Sequence, residues 1–214
     1  LHAAARKAKR ELARERVRMI RRIRVDYAAA NRRISAAIRA LERQIDASPV
    51  VDIAWLREQK RLELLQRDIQ RAVRGFTQKI APPVAGSATA GAALGSRQAV
   101  KLIQVGLGDV AALTGAPNPL ANPALQSIMQ RAASGPFSEL LDSLAKEAAD
   151  HARLVLVDGI NRGRNPRSLI GALRRTLTTD GKPIPVYRAE RIARTELLRA
   201  HREAIPQERA HGPI

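Results

Sequence analysis

Ten basic residues crowd the first part of the chain. Arg6, Lys7, Lys9, Arg10, Arg14, Arg16, Arg18, Arg21, Arg22 and Arg24 face only Glu11 and Glu15 as counter-charges. Like charges at that density repel one another unless a partner neutralises them. The chemistry they offer is electrostatic, the binding of phosphates or of an acidic protein surface. Arg6, Lys7, Lys9, Arg10, Arg14, Arg18, Arg21 and Arg22 are assigned to that partner, double-stranded DNA bound non-specifically or an acidic protein. Base-specific reading is not expected: no recognition motif accompanies the run, and 2% aromatics leave few rings to stack on bases.

A second candidate is Glu196. It falls on or beside an apolar helical stripe of Ala189, Ile192, Ala193, Leu197, Ala200 and Ala204. A carboxylate there is partly buried and needs a cation, from Arg162, Arg164 or an arginine of a neighbouring subunit. A general acid or base would want a second carboxylate or a histidine at a fixed motif distance, and none stands there. The expected role of Glu196 is therefore an ion pair that fixes helix packing. Glu190 with Arg194, and Arg199 with Glu203, are spaced for pairing along one helix.

Other chemistries find no support. His2, His151, His201 and His211 form neither an HxxxH nor an HExxH pattern, and cysteine is absent. No metal, no cofactor, no disulfide and no thiol nucleophile is expected. Glu147 and His151 read as a helix-surface pair. Gly106-Leu107-Gly108 lies in an expected helix with no strand before it, so it is not a dinucleotide fingerprint.

The elements that must position these residues read as helices. Of the 214 residues 45% are hydrophobic, almost all Ala, Leu, Ile and Val, a composition that favours helix over sheet. The net charge of +18 is unevenly spread. Residues 1–80 hold 21 basic and 9 acidic groups, residues 81–150 hold 4 and 5, and residues 151–214 hold 13 and 6. No signal-peptide core is visible, and no apolar run reaches the ~18 residues that span a membrane.

Residues 3–46 read as one helix, with Ala13, Ile20, Tyr27, Ile34 and Leu41 at every seventh position and Val17, Ile23, Ala30, Ala37, Ile38 and Ile45 beside them. Ser48-Pro49 breaks it, and Ser48 or Asp52 caps a second helix over about 52–80 with Trp55, Leu62, Ile69 and Phe76 in its stripe. The expected fold is all-α: a long N-terminal antiparallel hairpin (1–80), a flexible linker rich in small residues (81–96), and a smaller helical domain (97–214). That domain is expected to hold short helices at about 97–114 and 123–133 around a proline-rich loop. A helix over 137–161 carries Leu140, Leu141, Leu144, Ala148, Ala152, Val155 and Leu156 on one face, with Gly163 as its C-cap. A helix from Asn165-Pro166, a turn over 178–185 and a last helix over 187–205, ending before Pro206, complete it.

Three segments of this C-terminal part carry a resemblance: Gly159-Ile160-Asn161-Arg162-Gly163, then Arg167-Ser168-Leu169-Ile170, then Arg188-Ala189-Glu190-Arg191-Ile192-Ala193-Arg194-Thr195-Glu196. Their order and spacing over roughly 70 residues resemble the head-morphogenesis family of tailed phages, the minor head proteins typified by the F protein of phage Mu. The resemblance makes Gly159, Gly163, Arg188, Arg191, Arg194, Thr195 and Glu196 the motif residues. It implies a non-enzymatic virion protein, present in several copies per particle near the portal inside the head. The portal or major capsid protein and the packaged DNA would be its partners. It further implies no membrane in the assembled state, and the host cytoplasm as its site during assembly. An internal DNA-ejection protein, a nuclease or toxin fragment carrying the same helical module, and a DNA-compaction protein are the alternatives.

Overall fold

The computed structural model describes residues 2–107, 136–178 and 183–210. Its described residues form α-helices and one 3-10 turn, without a strand. Helix α1 (His2–Asp46) follows the seven-residue pattern from residue 19 onward. Met19, Ile23, Tyr27, Ala30, Ile34, Ile38, Leu41 and Ile45 are all buried, at steps of three and four that keep one face inward. Ahead of Met19 the expectation fails, because Ala13 and Val17 are exposed. Both share a face with arginines, Arg6 lying seven residues before Ala13 and Arg10 seven before Val17, so burying them would draw guanidinium groups out of water.

The hairpin turn is built on Asp52, whose side chain accepts the Trp55 N–H at 2.7 Å and caps the one-turn helix α2 (Ile53–Arg57). The expected single second helix is interrupted here by a 3-10 turn (Glu58–Lys60), with Lys60 at φ 54°. Arg61 closes the turn. Its guanidinium lies 4.3 Å from the centre of the Trp55 ring and donates to the Trp55 carbonyl at 2.7 Å. Helix α3 (Arg61–Leu107) then packs against α1 as the other arm of the hairpin.

The expected linker is a correction. Residues 81–96 are helical throughout and continue α3, and the helix expected to start at 97 is the same helix. Pro82 and Pro83 deprive the carbonyls of Gln78 and Lys79 of their helical donors without ending the helix. The small residues that suggested a linker are largely buried: Ser87, Ala88, Ala92 and Ser96 are each 5% exposed or less. The proline-rich loop and short helix expected over 116–133 lie outside the described residues. Three helices follow: α4 (Pro136–Asn161), α5 (Pro166–Leu177) and α6 (Ile184–Ala210). Helix α6 starts three residues before its expected position and runs through Pro206.

The chain divides into two compact units, and one division falls between Ile80 and Ala81, where the linker was expected to begin, although α3 runs through it unbroken. One unit comprises Ile23–Ile80 and Leu140–Ala189. Tyr27 is its node. Its ring meets Phe76 edge-on, 5.2 Å apart at 78°, and its phenol donates to the Leu177 carbonyl, one of the last carbonyls of α5 that helical N–H groups do not reach. Burial pushes the phenol's pKa upward. Arg174 pairs with Glu42, and Arg167 with Asp46 at 3.0 Å, tying α5 to the last turns of α1. Helix α4 buries Leu141, Leu144, Ala148, Ala152 and Leu156, whereas Leu140, expected on that face, is exposed.

The other unit comprises Leu1–Arg22, Ala81–Glu139 and Glu190–Ile214. Here α3 and α6 meet through Ala88, Ala92, Ala200 and Ala204. The backbones are close. A methyl group added at Gly95 would stand 2.3 Å from the His201 carbonyl oxygen, and one at Gly91 would stand 2.8 Å from that of Leu197.

Two outcomes follow from this packing, both read by denaturant unfolding. Gly95→Ala should cost about 1–3 kcal/mol, because a main-chain atom must move, whereas Gly86→Ala meets nothing within 4 Å and should gain up to ~1 kcal/mol of helix propensity. Tyr27→Phe should cost about 1–3 kcal/mol, the penalty for leaving the buried Leu177 carbonyl without its donor.

Candidate nucleic-acid interface

The cations of α1 stand on a helix whose inner face is fixed by packing, so their azimuths follow from the sequence. Arg6, Lys7, Lys9, Arg10, Arg14, Arg16, Arg18, Arg21, Arg22 and Arg24 are all exposed. Arg6, Arg10, Arg14 and Arg21 recur at steps of four, four and seven, which aligns them in one ridge. At 1.5 Å per residue the ridge is about 22 Å long. Lys7 and Arg18 flank it, while Lys9 and Arg16 point to another side of the helix. Among the described residues none of Arg6, Lys7, Lys9, Arg10, Arg14, Arg16 and Arg21 makes an ion pair. Arg6, Lys7, Arg10 and Arg14 line an open groove of about 500 Å³, with Glu11 as the acid among its described lining residues.

The other local acid, Glu15, is occupied. One carboxylate oxygen accepts from Arg18 at 3.2 Å and the other from the Ser87 hydroxyl at 2.9 Å. The ridge therefore presents several uncompensated positive charges to solvent, in water where each is screened and no one of them is bound strongly alone.

Four of the motif residues, Gly159, Gly163, Arg188 and Arg194, take part in caps, close packing or pairing. Gly159 has no room for a side chain, since an added methyl group would lie 2.1 Å from a Leu169 methyl carbon. Gly163 takes φ +66°, and two hydrogen bonds at 2.9 Å, Gly163 N–H to the Ile160 carbonyl and Arg164 N–H to the Gly159 carbonyl, close the C-terminus of α4. Arg188 pairs with Glu147 at 2.8 Å, so Glu147 does not serve as the expected partner of His151. Arg194 donates to the Glu190 main-chain carbonyl at 3.1 Å, and Arg199 pairs with Glu203 at 2.7 Å. Arg191 and Thr195 are exposed.

Glu196 lies where it was expected, partly buried, but without the expected cation partner. It is half-buried and makes no hydrogen bond or ion pair among the described residues; its charge acts on Arg199 through space. Arg162, offered as its partner, pairs with Asp158 at 2.8 Å. The carboxylate that α6 does bury is Glu190, 1% exposed. Its signal in the sequence is its register, four residues after Val186 and seven before Leu197, both buried. No group of three or more metal-ligating side chains occurs among the described residues. Burial, aided by Arg202, holds His201 below its ordinary pKa of 6.5.

No family model, curated protein or solved structure matches the chain. Functional assignment therefore stands on the residues themselves.

The two carboxylates of α6 should separate in a stability measurement. Glu190→Ala should destabilise by about 1–3 kcal/mol, the usual range for truncating a buried, interacting side chain. Glu196→Ala should change stability by about 0.5 kcal/mol or less, as surface substitutions do.

Proposed function

We propose that the protein is a non-enzymatic minor head protein of a tailed phage, docked near the portal inside the head, where it contacts packaged DNA without regard to sequence. The observation that carries the DNA contact is the ridge of exposed, unpaired cations on α1. The virion setting, with the portal or major capsid protein as partner, rests on the resemblance of segments 159–163, 167–170 and 188–196 to the head-morphogenesis family. The polar groups of those segments are mostly spent on caps and ion pairs, which suits an assembly module better than a catalytic one.

Binding by such a ridge is a counterion-release process. Each phosphate neutralised by Arg or Lys frees condensed cations from the duplex, and the gain shrinks as salt rises. The four ridge arginines with Lys7 and Arg18 would reach about six phosphates, giving a slope of about −5 in a plot of log affinity against log salt. Duplexes of unrelated sequence should bind alike, because phosphate contacts carry no base information.

The test is fluorescence anisotropy of the protein with duplex DNA of several sequences. Affinity should fall about a thousandfold between ~50 and ~200 mM salt. Arg10→Gln with Arg14→Gln should lower the slope by about two. An affinity insensitive to salt, or none at low salt, would overturn the DNA reading and reassign the ridge to an acidic protein surface.

A further inference from the structure

We infer that the phosphate-binding surface is made by two helices, with Arg97 of α3 completing a subsite in the groove that α1 and α3 form within one compact unit. The inference rests on the proposed contact with DNA and adds to it a residue that the N-terminal charge run does not contain. The groove, about 220 Å³ and open to solvent, is lined by Glu11, Arg14, Glu15 and Arg18 from α1 and by Ala90, Leu94 and Arg97 from α3. It shares Glu11 and Arg14 with the groove of Arg6, Lys7 and Arg10, so the two form one track along α1.

The chemistry of the lining matches a nucleic-acid backbone. Leu94, 8% exposed, and the half-buried Ala90 are the apolar lining residues, suited to the sugar. Arginines from both helices carry the donors, suited to the phosphate. Glu15 does not oppose an anion at full strength, because its two oxygens already accept from Arg18 and Ser87. Arg97 is exposed, and its Nε donates to the Ala93 carbonyl at 3.3 Å. That bond leaves both terminal nitrogens for a ligand, and Arg97 makes no ion pair among the described residues. Arg14 likewise makes none. Two unpaired guanidinium groups from different helices thus line one groove, an arrangement that a solvated helix face does not need.

The experiment compares the full-length protein with Arg97→Gln and with Arg153→Gln, an equal loss of charge at an exposed site on α4. Circular dichroism first checks that both variants keep the helical spectrum. Anisotropy with a short DNA duplex is then followed across salt. Arg97→Gln should weaken binding several-fold at ~50 mM salt and lower the log–log slope by about one, as loss of one phosphate contact requires. Arg153→Gln should match the parent protein. If Arg97→Gln also matches the parent while the parent binds with a steep slope, the two-helix subsite is overturned and the α1 ridge stands. If the two variants weaken binding equally, net charge alone is at work, and the subsite is again overturned. If the parent does not bind the duplex at all, both the subsite and the proposed function fall.

Discussion

Helix packing through residues with almost no side chain is the constraint on which most of this structure depends. Alanine and glycine at a contact let two backbones approach more closely than the 8–10 Å usual between helices with larger side chains. Dispersion acts only at contact distance, so a core of methyl groups holds only where the surfaces touch throughout. The cluster of Ala88, Ala92, Ala200 and Ala204 between α3 and α6 is built this way, and Gly91 and Gly95 lie where carbonyl oxygens of α6 leave no space for a methyl group. In the other unit Gly159 serves differently, leaving room for the side chain of Leu169 rather than for a main-chain atom. Each alanine buries little apolar surface, and a CH₂ group contributes only about 0.8 kcal/mol. Against that, alanine loses no rotamer freedom on burial and is the best helix former.

The larger side chains are concentrated in the unit formed by Ile23–Ile80 and Leu140–Ala189. Tyr27, Phe76 and Trp55 all lie there, and the phenol of Tyr27 supplies the donor that the end of α5 lacks. Helix α1 therefore has two characters along its length. From Met19 onward its inner face is a run of buried apolar residues at helical spacing. Among the described residues before Met19, Ala8, Glu11, Leu12 and Glu15 are half-buried, and the exposed positions hold cations together with Ala13 and Val17. The exposure of Ala13 and Val17 follows, since a face shared with arginines cannot be taken out of water.

Much of the architecture was legible because helix periodicity is a strong signal. The stripe of α1 from Ile23 onward, that of the first half of α3, the Asp52 cap, the Gly163 terminus and the Asn165-Pro166 start of α5 follow from residue type and spacing alone. What was not legible came from composition standing in for context. In 81–96, Pro, Gly and Ser imply a linker, yet in the folded chain the same small residues are what allows α3 to approach α6. Helix α6 also passes Pro206, because a proline removes one donor and disfavours a helix without always ending it. The burial of Glu190 was missed because the stripe of α6 was placed with Ile192 inside it, and Ile192 is only half-buried. Arg97 was invisible for a different reason, since nothing in its neighbourhood is basic except Lys101, and only the folding of α3 against α1 brings it to the same groove as Arg14.

The distribution of polar partners bears directly on function. In segments 159–163, 167–170 and 188–196 several polar groups are occupied by the fold, Arg188 by Glu147, Arg162 by Asp158 and Arg194 by a main-chain carbonyl, while Arg191 and Thr195 are exposed. On α1 the opposite holds, and exposed cations outnumber the acids that could satisfy them. A protein that kept these charges only for solubility would gain as much from scattering them, and alignment in one ridge adds repulsion between neighbours. A polyanion removes that repulsion and gains from the alignment. Geometry then limits the contact. A straight ridge of about 22 Å can follow a winding phosphate strand over only part of a helical turn, so cations on another side of α1, such as Lys9 and Arg16, cannot join the same strand. On the proposed reading, the number of phosphates engaged would be set by the ridge and whatever flanks it, not by the total charge of +18. On that reading a single arginine from a second helix, placed beside the ridge, would add a phosphate contact that positive charges elsewhere on the surface could not.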